Sequence, residues 1–102
     1  SYAVILFSAN YQKQSTPEVM GSMDESMSIL RRCYDEDHRK VYHAKVFADQ
    51  ALKYCKKFPD SSYAKEYLES SEHWLEAELQ SRIGDRRMVQ LRQQVIRARQ
   101  AL

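Results

Sequence analysis

Val41, Ala44, Ala48, Ala51, Cys55 and Phe58 follow one another at steps of 3, 4, 3, 4 and 3 residues. That spacing lines one face of a continuous α-helix and fits no strand, whose side chains repeat every second residue. The middle of the stripe is alanine, and small side chains let a second helix axis come close. This helix is therefore expected to be central, with Phe47 and Leu52 widening its buried face. The chain has only two glycines and two prolines in 102 residues. So few breakers favour long helices throughout.

Other stretches repeat the pattern. Thr16-Pro17-Glu18 reads as a helix start, with threonine as cap, proline at the first helical position and glutamate at the positive end of the dipole. Val19, Met23, Met27, Leu30 and Tyr34 then recur at helical spacing, the methionines being read as core. Gly21 weakens the first turns, so the firm part is expected from about Asp24. Asp35 or Asp37 is the expected cap of the alanine-striped helix.

After Phe58-Pro59, Asp60 or a following serine caps a helix expected to run to about Ile83. Ala64, Leu68, Ser71, Leu75 and Leu79 form one stripe on it, and Tyr63, Tyr67 and Trp74 a second beside it. A face this wide implies contact on two sides, or a packed side plus an exposed aromatic patch. Gly84 is the expected C-terminal cap and Asp85 the next N-cap. Met88, Leu91, Val95, Ala98 and Leu102 stripe the last helix. Residues 1–15 are ambiguous, because the apolar run Tyr2–Phe7 is too short for periodicity to type. No second strand candidate exists to pair with it, so an N-terminal arm or first helix is expected. The fold class is all-α: an antiparallel helical bundle or short helical-hairpin array of three to four helices, its helical domain spanning 16–102. The chain opens on Ser1 rather than Met and is expected to be a fragment of a larger protein.

Charge is segregated within a formal net of +2. Between Asp60 and Gln80 acids outnumber basic residues six to one, while the segment after Asp85 holds five arginines and no acid. Either the two helices lie together and neutralise each other, or Arg86, Arg87, Arg92, Arg97 and Arg99 meet an external acidic partner or nucleic acid. With Tyr63, Tyr67 and Trp74 these arginines form the candidate partner-binding set. The partner is expected to be a protein or neighbouring domains of the same chain, since arginines without interleaved aromatics support nucleic acid only weakly. The apolar run is far too short to span a bilayer, so no membrane partner is expected. Cys33 and Cys55 have no CxxC spacing and make no secreted disulfide framework. Reduced thiols and a cytoplasmic location follow as expectations.

Residues 48–68, ADQALKYCKKFPDSSYAKEYL, resemble the junction between tetratricopeptide-type repeats, where an alanine-rich helix ends, a proline turn follows and an amphipathic helix begins. The resemblance implies stacked helical hairpins that bind proteins or peptides. A shift of 34 residues, the length of that repeat, carries Val41, Ala44, Ala48 and Ala51 onto Leu75, Glu78, Arg82 and Asp85. The core pattern is lost, so at most one divergent hairpin is implied and no family site residue carries over.

Catalytic constellations are sparse. Arg32-Cys-Tyr-Asp-Glu-Asp-His38 matches the arginine–histidine spacing of helical HEPN-type ribonucleases, in which histidine works as acid or base and arginine steadies phosphate. Three acids between the two oppose an RNA backbone. On a continuous helix, His38 and His43 fall on different faces, unlike the i, i+4 ligands of helical zinc sites, and His73 is on another helix. Asp35-Glu36-Asp37 lacks the alternation and glycine of a calcium loop. There is no phosphate-binding glycine loop and no nucleophile motif. No cofactor, metal or catalytic residue is assigned. The leading expectation is a non-catalytic protein–protein interaction or scaffolding module. An accessory helical domain of a signalling or defence ATPase, and an RNA-binding or HEPN-like ribonuclease domain, are the alternatives.

Overall fold

The computed structural model describes residues 1–81 and 85–102. Five helices follow one another: α1 (Tyr2–Tyr11), α2 (Pro17–Glu36), α3 (Lys40–Lys57), α4 (Ala64–Leu79) and α5 (Arg86–Ala101). The all-α expectation is met with five helices rather than three to four. The extra one is α1, whose N-terminal Ser1 hydroxyl accepts from the Val4 amide and whose Ala3, Phe7 and Asn10 are buried. One apolar run with one buried face is what a short flanking helix needs, and periodicity over six residues could not reveal it.

Local chemistry explains most boundaries. Thr16 caps α2 by accepting from the Val19 amide at 3.2 Å, with Pro17 at the first position. Gly21 does not delay the helix to Asp24, because the packed face of Val19, Met23, Met27 and Leu30 already holds its first turns. Asp85 caps α5 by accepting from the Met88 amide at 3.1 Å. The alanine-striped helix is capped differently from expectation. Its N-cap is Arg39, with no side-chain bond, and Asp37, two residues earlier, accepts from the Arg39 amide. α4 begins after Tyr63, also without a side-chain cap. Ser61 instead ties the turn, accepting from the Tyr63 amide and bonding the Tyr54 hydroxyl at 2.6 Å. α4 ends at Leu79, short of Ile83; Ile83 and the expected cap Gly84 lie outside the described residues.

α3 packs against each of the other four helices. Ala44, Ala48 and Ala51 are fully buried on it, as expected of a central small-residue stripe. A second buried row, His43, Phe47, Gln50 and Tyr54, runs beside the alanines. Sequence neighbours pack pairwise, while α1 and α5 both touch α3 without approaching each other. α2 and α4 likewise lack close backbone contact and meet through long side chains across α3. None of the described helices is long and apolar enough to cross a membrane.

Candidate functional site

The aromatic row on α4 is largely interior. Tyr67 is 6% exposed and sits edge-on to Phe47 and Tyr54 of α3. Its hydroxyl donates to Asp24 on α2 at 2.7 Å. Burial, then that carboxylate, push its phenol far above the ordinary range. Trp74 stacks on Tyr34 of α2 with centroids 4.2 Å apart and leans on Phe47. The Tyr34 hydroxyl donates to Glu78 at 2.8 Å, and Arg31 of α2 binds Glu66 and Ser70 of α4. The wide face of α4 thus packs on α3 and α5, with side chains of α2 reaching over its aromatic row, instead of forming an exposed aromatic patch. Of the three expected partner-binding aromatics, Tyr63 alone stays exposed, at 49%.

Most of the expected arginine set is engaged internally. Arg92 bonds Glu76 and Arg99 bonds Glu72 across the α4–α5 interface, the latter at 2.9 Å. Arg87 reaches Asp49 of α3 at 3.2 Å. The Arg92 guanidinium holds the Glu76 carboxyl below its ordinary range. Lys45 on α3, bonded at 2.7 Å, does the same for Asp85, assisted by the Met88 amide. The acidic and basic helices therefore lie together. Among the described residues, Arg86 and Arg97 are the members of the set with no ion pair.

The α2–α3 corner gathers more polar groups than its sequence suggests. Asp37 binds the Arg39 guanidinium through Nε at 3.1 Å and Nη2 at 2.9 Å. It also accepts from His43 Nε2 at 3.1 Å and lies 3.1 Å from His38 Nδ1. Facing separation of the two histidines assumed an unbroken helix. His38 lies instead in the turn, and both reach one carboxylate. Lys40 seals the end of α2 through the carbonyls of Tyr34 and Asp35. His43 is buried, with Nδ1 unpartnered among the described residues. Arg32 and His38 do share a shallow depression, but Glu36 and Asp37 line it too. The His38 side chain is 92% exposed, and its one polar tie is to the Asp37 carboxylate. Among the described residues no three His, Cys, Asp or Glu side chains gather as a metal site.

The Arg39 and His43 hydrogen bonds hold the Asp37 carboxyl far below its ordinary range. A carboxyl lowered by folding stabilises the fold fully above its unfolded value, about 4, and loses that contribution as pH falls towards the lowered one. Asp37→Asn is expected to lower Tm at neutral pH, and the gap to the parent protein to narrow below about pH 4. Paired thermal melts across that range check it; a constant gap would mean the carboxylate is not the source.

A different surface is open and apolar. α1 and α5 leave one face of α3 uncovered, forming a groove of about 690 Å³. Leu52 and Cys55 of α3 floor it, Tyr11 of α1 forms one wall, and Ala98 and Ala101 of α5 form the other. Cys55 donates to the Ala64 carbonyl, and burial pushes its thiol up to about 11. It is a packing residue, not a nucleophile. Reading the sequence missed this surface, whose parts are separated by some forty residues at each step, and no local signal marks it. Comparison with protein families, curated proteins and solved structures finds no match for this chain.

Proposed function

We propose that this chain is a non-catalytic helical module for protein–protein interaction or scaffolding, arranged as a short array of antiparallel helical hairpins. The observation that carries the reading is the α1–α5 groove, an open apolar surface on the side of the central helix that no other helix covers. Helical proteins commonly receive partner segments in such grooves. The ribonuclease alternative rests on Arg32 and His38 sharing a depression. Its acids, Glu36 and Asp37, and the tie of His38 to the Asp37 carboxylate argue against phosphate handling, and three of the five terminal arginines are already paired with acids.

An RNA cleavage assay on the purified chain, with and without divalent metal, separates the two. The interaction reading expects no cleavage, and only weak RNA binding that falls steeply with added salt. Cleavage lost in His38→Ala would replace this reading with the ribonuclease one.

A further inference from the structure

We propose that the groove between α1 and α5 receives an amphipathic helix whose apolar ridge is flanked by acidic side chains; this rests on the interaction reading and names its partner chemistry. The form of the partner follows from what the groove offers. Its walls and floor are helices, so an added strand would find no strand edge to pair with. Side-chain packing remains as the attractive force. Ala98 and Ala101 keep the α5 wall low, which lets another helix axis approach to roughly 8–10 Å. Leu52, Cys55 and Tyr11 supply the apolar contact.

The charge of the partner follows from the rim. Lys53 and Lys56 line the groove, and no acidic side chain does among the described residues. Lys53 is half exposed, and its bonded acid, Asp49, is on its own helix and shared with Arg87. Lys56 is exposed and has no ion pair among the described residues. Lys57 extends the positive rim beside Tyr11, donating to the Lys13 carbonyl. A helix carrying Glu or Asp beside its apolar ridge would meet complementary charge on seating, whereas a lysine-flanked helix would be repelled.

The test uses two synthetic helical peptides roughly five turns long, with the same leucine–alanine ridge and either Glu or Lys on both flanks. Fluorescence anisotropy reads binding to the whole chain. The Glu peptide is expected to bind, more weakly at high salt, and the Lys peptide on the order of tenfold more weakly or worse. The double variant Lys53→Glu/Lys56→Glu, at two exposed sites, should invert that preference. Ala101→Trp, which fills the groove from an exposed position, should weaken both, with circular dichroism confirming the fold of each variant. Equal binding of the two peptides, no binding of either, or a preference unchanged by charge reversal overturns the proposal. Cross-links to a partner from the groove despite such a result would sink the acidic helix as occupant and leave the interaction reading standing.

Discussion

Phe47→Ala is expected to destabilise the fold by about 3–5 kcal/mol, the range for removing a buried aromatic ring. Phe47 is fully buried on the central helix. Its ring meets Tyr67 edge-on and leans on Trp74 with centroids 4.6 Å apart. The Arg31 guanidinium lies 5.9 Å from both the Phe47 and Trp74 centroids, within reach of a cation–π attraction. Truncation would empty the point where α2, α3 and α4 meet, and three long side chains cannot all collapse inward without giving up Glu66, Ser70 or Asp24. Against a total stability of about 5–15 kcal/mol, the loss should lower Tm by more than about 10 °C. Urea melts of both proteins measure it. A loss below about 1 kcal/mol would show that the ring is not the joint between these helices.

Ala48→Leu is expected to cost about 1–3 kcal/mol through overpacking, while Lys53→Gln on the same helix should stay within about 0.5 kcal/mol. Ala48 is fully buried at the centre of the small-residue stripe. Added methylenes there must push a neighbouring helix away or twist out of rotamer. Lys53 lies on the open face, bonded to Asp49 one turn back. Denaturant midpoints of the two variants check the contrast; equal small losses would mean the buried face of α3 is misassigned.

The central helix was legible because its small and apolar residues keep strict 3–4 steps, and the helix ends at Thr16 and Asp85 because capping is local chemistry. α1 was not, since a six-residue apolar run carries no period. The capping expectations at Asp35, Asp37 and Asp60 fell short for one reason: a short polar residue near a helix start can bond several neighbouring amides, and tertiary ties chose among them. Asp37 is drawn to Arg39 and His43, and Ser61 to Tyr54. The candidate site was legible only in part. The opposite charges of α4 and α5 announced that they could pair. The ties of Tyr67 to Asp24 and of Trp74 to Tyr34 depend on α2 side chains reaching α4, which no spacing within α4 encodes. The apolar groove joins Tyr11, Leu52 and Ala98, residues that share nothing in sequence, and it appears only once three helices are placed around each other.

We propose the face of α3 left open by α1 and α5 as the place where a partner engages. Site-specific photo-crosslinking tests it most directly, with the reactive group placed at Lys56 and at Ala101, on two different helices of the groove. A control position is Glu69 on α4, half exposed and away from it. The same partner should be captured from both groove positions and not from Glu69. Capture from Glu69 alone, or from none of the three, would contradict the claim.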